Sequence, residues 1–183
     1  MPTVNRPFRI FSQQCEVTPP NAPELRGKMV IMSCFVDADH AGCRVTRRSH
    51  TGIVIFVNQA PILWYSKCQN MVETSTFGSE FIALKTAVEM VEGLRYKLRM
   101  MGIEVDGSTN IFCDNESVVK NSTQLESMLK KKHNTISYHR VHEAQAAGIV
   151  RIAKEDGKMN LANILTKCLP GPRLKELISC ILW

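Results

Sequence analysis

The sequence predicts an α/β (α+β) protein with a five-stranded mixed sheet, three strands antiparallel and two more beside them, and helices on the faces of the sheet. Three β-rich runs at residues 30–37, 52–57 and 62–66 are joined by short connections, which is typical of an antiparallel meander. Apolar residues then recur every three or four positions over residues 77–101, which indicates a long amphipathic helix. Strands and helices are mixed beyond it, as in a layered domain.

The second half of the chain supplies the remaining elements. We predict a fourth strand, a short helix, a further helix, a fifth strand and a last helix, in that order, at residues 109–113, 117–119, 136–147, 149–153 and 161–167. The element order is therefore β-β-β-α-β-α-α-β-α. Ser75 or Thr76 can cap the long helix and Asn160 can cap the last one, because their side-chain oxygens accept hydrogen bonds from the free N–H groups of a helix start.

The length and composition indicate one domain. The 183 residues can bury a sizeable core, and 44% hydrophobic with 22% charged residues is ordinary for a globular protein. Residues 30–169 contain the predicted elements, and we expect residues 170–183 to be a C-terminal tail. Residues 1–29 show no clean period and include the run PPNAP, so we interpret them as a linker or the end of a preceding domain.

Charge and cysteine content limit the function classes. The formal net charge of +6 suits a polyanionic partner. The sequence has no apolar run long enough for a membrane helix, and its first residues lack the apolar stretch of a signal peptide. The seven Cys are odd in number and lack Cys-x-x-Cys spacing. We therefore expect an intracellular protein with reduced thiols, and Cys34 and Cys113 as small buried hydrophobes.

Three carboxylates occupy unusual positions. Asp37 and Asp114 each end an apolar strand, where an Asp taken alone most often starts a turn or caps a helix. Glu80 falls inside the apolar stripe of the long helix, although near the helix start it could also bend out to solvent. The three positions together favour one shared site.

Clustered carboxylates require a counter-charge. Each one raises the pKa of the others, and a hard divalent cation such as Mg²⁺ removes that cost. Two such ions about 4 Å apart can activate a water and stabilise a leaving oxygen in phosphodiester cleavage. Asp39, two positions after Asp37, either supports this site or faces solvent. The same repulsion predicts that Asp37→Asn slightly raises the stability of the metal-free protein.

Five short motifs follow one another between residues 36 and 167: VDADHAG, RRSHTG, ETST followed by GSEFIAL, CDNES and NILTK. Their wording and order resemble the ribonuclease H domain of copia-type LTR retrotransposon polyproteins, over roughly residues 30–169. The resemblance implies an RNase H-like fold. It also implies an endoribonuclease that degrades the RNA strand of RNA–DNA hybrids by two-metal hydrolysis during reverse transcription. Residues 1–29 would then be the end of a polymerase connection.

The resemblance also implies site residues and a cofactor. The metal ligands of the family carry over to Asp37, Glu80 and Asp114, with two Mg²⁺ ions as cofactor and Mn²⁺ as a substitute. The fourth catalytic position is Asn163, where the family usually has Asp. An amide oxygen ligates weakly and cannot neutralise a second cation, so the chain is either less active or tolerant of Asn. Asp156 lies close enough in sequence to compensate, although a plain Asp-Gly turn is the better interpretation.

The leading interpretation is therefore an RNase H-type endonuclease. The alternative is a catalytically impaired RNase H-like remnant that only binds nucleic acid, with Asn163 as its mark. A third possibility, a DNA transposase or integrase of the same fold, matches the wording of the motifs less well. The implied partners are an RNA–DNA hybrid and the other domains of the Pol polyprotein, in a cytoplasmic virus-like particle or the nucleus.

Two basic runs are candidate phosphate contacts, although such runs are usually solvated surface. The first includes Arg47 and Arg48, and the second is Lys130, Lys131 and Lys132.

Two polar residues are candidates for recognising the RNA strand. Ser79 precedes Glu80 and Asn115 follows Asp114, so both would lie beside the carboxylates. We predict that they reach 2′-hydroxyl groups, because only these groups distinguish RNA from DNA.

Overall fold

The computed structural model describes residue 21 and residues 23–123 and 135–182. Within these residues, one sheet contains the strands β1 (Met32–Asp39), β2 (His50–Val57), β3 (Ala60–Cys68), β4 (Thr109–Cys113) and β5 (Val150–Lys154). The helices are α1 (Thr76–Met100), α2 (Glu116–Thr123), α3 (Thr135–Ala146), α4 (Asn163–Thr166) and α5 (Gly171–Ser179). No helix in these ranges has the length and apolar character needed to cross a membrane.

The sheet is mixed, as the sequence predicts. Its strand order is β3-β2-β1-β4-β5. The first three strands pair antiparallel, while β4 is parallel to β1 and β5 is parallel to β4. Val36 of β1 is the register partner of Cys113 of β4, so the residues that follow them lie at the same edge of the sheet, the one formed by the carboxyl ends of these two strands. This register brings Asp37 and Asp114 to neighbouring positions.

Helix α1 covers one face of the sheet and forms the main core. Phe81, Leu84 and Val88 of α1 are fully buried in one cluster with Cys34 and Val36 of β1. Each fully buried apolar side chain of this size contributes about 1.5–3 kcal/mol to folding. The helix is therefore held in a single rotation about its axis, which also decides where its polar residues point.

The start of α1 is capped as predicted. The Ser75 hydroxyl oxygen accepts a hydrogen bond from the backbone N–H of Gly78 at 3.2 Å, so Ser75 and not Thr76 is the N-cap. Gly78 packs closely against Glu73, since a Cβ there would lie 2.2 Å from a carboxylate oxygen of that residue and would displace its side chain.

The second face of the sheet is covered by the C-terminal part of the chain. Val54 and Phe56 of β2 are buried in a cluster with Leu161 and Leu177. Leu177 belongs to α5, so most of the segment 170–183, for which we expect a tail, is a helix packed on the sheet. Pro172 suits this helix because proline is tolerated in a first turn, where its missing N–H would have no helical partner.

Helix α4 begins later than predicted, and Asn160 is not its cap. The N-cap is Ala162, with no side-chain hydrogen bond. Asn160 instead accepts from the Ala162 N–H at 3.1 Å and donates to the Val36 carbonyl at 2.8 Å. The fully buried amide of Asn160 therefore ties the segment before α4 to β1, beside Asp37.

Candidate active site

Two strands and one helix supply the carboxylates of the site. Asp37 is a β1 residue with 0% exposure, and Asp114 follows β4 and is partly buried. Glu80 lies in the second turn of α1 and is 5% exposed. The rotation of α1 that buries Phe81 and Leu84 also directs Glu80 towards the strand ends. The structure thus brings the three predicted carboxylates into one electrostatically coupled cluster.

Glu80 is in the least favourable environment for a negative charge. Burial, followed by the charges of Asp37 and Asp114, raises the pKa of Glu80 to about 9, against the smaller opposing effects of Lys167 and the Ala38 backbone N–H. One of its carboxylate oxygens, Oε2, is buried and has no hydrogen-bond partner among the described residues. A buried oxygen without a partner is costly, so Glu80 is ready to accept a proton or a cation.

Asp114 lies at the open side of the cluster. Burial and then the charge of Asp37 raise its pKa, while Lys167 lowers it. A cavity of about 580 Å³ opens beside it, lined by Asp114 and by Lys154, Glu155, Asp156 and Gly157. The Asp156 carboxylate accepts a hydrogen bond from the Lys158 N–H at 2.8 Å. Asp156 therefore forms a turn, the role that the sequence analysis favours over compensation for Asn163.

Cys113 adds a thiol to the same corner. Ligand atoms of Glu80, Cys113 and Asp114 all lie within 4.8 Å of one another. Cys113 is 0% exposed, and burial raises the pKa of its thiol far above the ordinary range, so it stays protonated and packs as the predicted small hydrophobe.

The donor set fits a hard divalent cation. Asp37, Glu80 and Asp114 offer carboxylate oxygens, which Mg²⁺ and Mn²⁺ prefer. A cation bound among them would satisfy the unpartnered oxygen of Glu80 and would offset the mutual repulsion of the three groups. These three residues are therefore the ones that would hold the metal.

Two further residues, Thr166 and Lys167, bind Asp37, and the sequence analysis does not predict them as site residues. The Thr166 hydroxyl donates to Oδ2 of Asp37, and the Lys167 ammonium lies 3.0 Å from Oδ1. Lys167 also donates to Oδ1 of Asn163. The sequence signal for the contact between Lys167 and Asn163 is their spacing of four residues, because such pairs share one face of a helical turn.

Asn163, the fourth predicted catalytic residue, lies at this site and is 5% exposed. Its side-chain nitrogen donates to the Gly157 carbonyl at 2.6 Å, which turns the amide oxygen towards Lys167. Gly157 in turn packs on Asp114, since a Cβ at this glycine would lie 3.2 Å from Oδ2 of Asp114. The loop that contains Gly157 thus holds Asn163 by a hydrogen bond and lies close to Asp114.

Ser79 and Asn115, the two residues predicted to recognise the RNA strand, lie in different surroundings. Ser79 is fully buried and its hydroxyl donates to the Thr76 carbonyl at 2.9 Å, so the prediction that it reaches a 2′-hydroxyl is wrong. The side chain of Ser79 is enclosed by the fold and its hydroxyl proton is already donated to a carbonyl of the same helix. Asn115 caps α2, with its side-chain oxygen accepting from the N–H groups of Ser117 and Val118 at 3.1 and 3.2 Å.

The basic runs can be placed only in part. Arg47 and Arg48 are exposed in the loop that follows β1, at the same edge of the sheet as Asp37. Asp39 is partly exposed and accepts a hydrogen bond from the His50 N–H, so it joins the two ends of this loop. The predicted contacts Lys130, Lys131 and Lys132 lie outside the described residues.

Comparison with known proteins identifies homologues. No protein-family model matches the chain. It is 30% identical over 157 residues to the retrovirus-related Pol polyprotein from transposon TNT 1-94 of Nicotiana tabacum, and this match covers 84% of the chain but 12% of that polyprotein. It is 26% identical over 156 residues to the Pol polyprotein from transposon RE1 of Arabidopsis thaliana, covering 85% of the chain and 11% of that polyprotein. The chain thus spans a small part of the length of these relatives.

Solved structures share the fold. The N-terminal RNase H domain of a Mycobacterium tuberculosis protein superposes with a TM-score of 0.56 at 12% identity, covering 82% of this chain and 97% of that chain. LC11-RNase H1 in complex with an RNA/DNA hybrid superposes with a TM-score of 0.55 at 18% identity, covering 75% of this chain and 93% of that chain. The chain is therefore a homologue of the retrovirus-related Pol polyproteins of copia-type transposons, with the fold of an RNase H domain.

Proposed function

We propose that the chain is a ribonuclease H-type endonuclease that degrades the RNA strand of RNA–DNA hybrids, as part of retrotransposon reverse transcription. The observation that carries the proposal is the convergence of Asp37, Glu80 and Asp114 at one edge of the sheet, with a buried Glu80 oxygen that lacks a partner. The RNase H fold and the homology to Pol polyproteins support the same activity.

Asp37, Glu80 and Asp114 would hold divalent metal, with Mg²⁺ as the cofactor and Mn²⁺ as a substitute. Bound metal of this kind supplies a water activated for attack on the phosphodiester and stabilises the leaving oxygen. The chain itself fixes the ligands. Thr166 orients Asp37, the Ala38 N–H orients Glu80, and the absence of a side chain at Gly157 leaves space for Asp114.

The hybrid would approach the edge of the sheet where the carboxylates lie. Arg47 and Arg48 are exposed in the adjoining loop and would contact phosphates. The amide nitrogen of Asn115 can still donate to a 2′-hydroxyl, because only the oxygen of that side chain is used in capping α2. We propose Lys130, Lys131 and Lys132 as further phosphate contacts on the sequence alone.

A catalytically impaired remnant that only binds nucleic acid is the second candidate. Two observations favour it: a neutral amide stands at the fourth position, and a lysine ammonium already contacts Asp37 and Asn163. An ammonium cannot activate a water as a metal ion does, so this arrangement would lower turnover if a second metal were essential.

Cleavage of a labelled RNA–DNA hybrid tests the proposal, with duplex DNA as the substrate control. We expect Mg²⁺-dependent cutting of the RNA strand that falls at least about a hundredfold in Asp37→Asn, the effect of roughly 2.7 kcal/mol on a barrier. Asp106→Asn is the matched control, because Asp106 is exposed and lies between α1 and β4.

The outcome separates the two candidates. Hybrid binding without cleavage at any Mg²⁺ or Mn²⁺ concentration would favour the impaired remnant. Equal cleavage of duplex DNA would reject ribonuclease specificity, and cleavage by Asp37→Asn at the wild-type rate would remove this site from the reaction.

A further inference from the structure

We propose that the Lys167 ammonium is a resident cation of the carboxylate cluster, which occupies the place of a second divalent ion between Asp37 and Asn163. The inference rests on the proposed function in one respect, that the cluster binds divalent metal. It adds that the cluster takes up one divalent ion and not two, because the chain supplies the other cation itself.

The contacts of Lys167 are those of a bound cation. Its Nζ lies 3.0 Å from Oδ1 of Asp37 and also donates to Oδ1 of Asn163. Asp37 is 0% exposed, whereas the Lys167 side chain is 41% exposed, so the ammonium reaches inward to a buried carboxylate. The second oxygen of Asp37 accepts from the Thr166 hydroxyl. Both oxygens of Asp37 are thus in use, one of them on a cation.

The surroundings of Asn163 are built for an amide. Its nitrogen donates to the Gly157 carbonyl at 2.6 Å, and a carboxylate in the same orientation would place an oxygen against that carbonyl oxygen. The backbone N–H of Lys167 donates to the Asn163 carbonyl at 2.9 Å, which fixes the two residues one turn apart. Because Asn163 is neutral, the carboxylate cluster carries at most three negative charges, where a fourth carboxylate would make it four.

Charge balance favours one divalent ion. The three carboxylates, when ionised, are neutralised by one divalent cation together with the Lys167 ammonium. A second divalent ion would leave an excess of two positive charges beside the fully buried Asp37, and uncompensated charge in such a site is strongly unfavourable. Removing the lysine charge should therefore admit the second ion.

The number and affinity of bound Mn²⁺ ions test this inference without any substrate. Isothermal titration calorimetry and Mn²⁺ electron paramagnetic resonance on the full chain should give one ion for the wild type. Lys167→Met should bind a second ion at least about tenfold more tightly than the wild type does. Lys175→Met is the matched control, because Lys175 is an exposed lysine of α5, and it should bind one ion like the wild type.

Lys167→Gln serves as a second variant should Lys167→Met fold poorly, since it keeps a donor but loses the charge. The wild-type stoichiometry decides the question independently of either variant. Two ions of similar affinity in the wild type, or no ion at all, would overturn the inference. One ion in the wild type and in both charge-removing variants, with unchanged affinity for a second, would overturn it as well.

The same data distinguish this inference from the proposed function. One ion in the wild type and two in Lys167→Met, in a protein that cuts no hybrid, would support the role of Lys167 and reject the nuclease. Efficient hybrid cleavage by a wild type that binds two ions would support the nuclease and reject the role of Lys167.

Discussion

The buried carboxylate of Asp37 and the half-exposed ammonium of Lys167 form an ion pair at 3.0 Å, across 130 residues of sequence. The pair joins the central strand β1 to the residue that follows α4. It therefore links the stability of the metal-free domain to the residues that would bind metal.

Asp37→Asn should destabilise the metal-free protein. The variant loses a hydrogen bond to a charged partner, and such bonds contribute about 1.5–3 kcal/mol. Urea unfolding in EDTA should show a loss of that size in the free energy of unfolding, with Asp106→Asn close to the wild type. An unchanged or raised stability would mean that relief of carboxylate repulsion outweighs the ion pair.

That expectation reverses the one drawn from the sequence alone, and the reason is tertiary. Repulsion between Asp37, Glu80 and Asp114 can be inferred from strand ends and a helical period. The spacing to Lys167 suggests its contact with Asn163, but its contact with Asp37 cannot be inferred, because that contact depends on how Asn160 ties the segment before α4 to the Val36 carbonyl. Strand ends and helical periodicity in the sequence therefore identify the three carboxylates. They do not identify Lys167, which a short segment brings to Asp37 only in the folded chain.

Glu80→Gln should make the stability of the metal-free protein less dependent on pH. The pKa of Glu80 is raised from an ordinary 4.5 to about 9, mainly by burial, so between these values the folded state keeps a proton that the unfolded state has lost. The stabilisation is complete below the lower value and is lost as pH rises through the upper one. It contributes a slope of up to about 1.4 kcal/mol per pH unit.

The measurement is the difference in unfolding free energy between wild type and Glu80→Gln, taken from pH 5 to pH 8 in EDTA. Titrating groups that do not interact with Glu80 occur in both proteins and cancel in the difference. Parallel curves would show that Glu80 is ionised in the fold and that its buried oxygen has a partner.

The C-terminal segment shows a second limit of sequence analysis. The run Pro170-Gly171-Pro172 is read most simply as the end of a helix, yet it also begins α5. Proline tolerates the first turn of a helix as well as the residues after one, so the local signal is ambiguous. Only the packing of Leu177 against Val54 and Phe56 decides between these roles.

Leu177→Ala should therefore destabilise the domain. Leu177 is 1% exposed, and truncating a buried leucine to alanine costs about 2–5 kcal/mol. Leu174→Ala on the same helix is the matched control, because Leu174 is 36% exposed and should lose well under half as much. Thermal and urea unfolding give both values. Equal, small losses would show that α5 contributes little to the fold and that residues 170–183 behave as a tail.

Replacing Arg47 and Arg48 with Ala should weaken hybrid binding and make it less sensitive to salt. Each phosphate contact releases counterions when it forms, so losing one contact lowers the slope of log affinity against log salt by about 1. Both arginines are exposed in the loop after β1, beside the carboxylate edge of the sheet. Arg151→Ala is the control, because Arg151 is exposed on β5, an outermost strand of the sheet that the loop with Arg47 and Arg48 does not adjoin.

The measurement is fluorescence anisotropy with a labelled hybrid at salt concentrations from about 50 to 200 mM, a range in which counterion release has a large effect on affinity. A slope lowered by Arg151→Ala, and unchanged by the double variant, would place the hybrid on the β5 side of the domain.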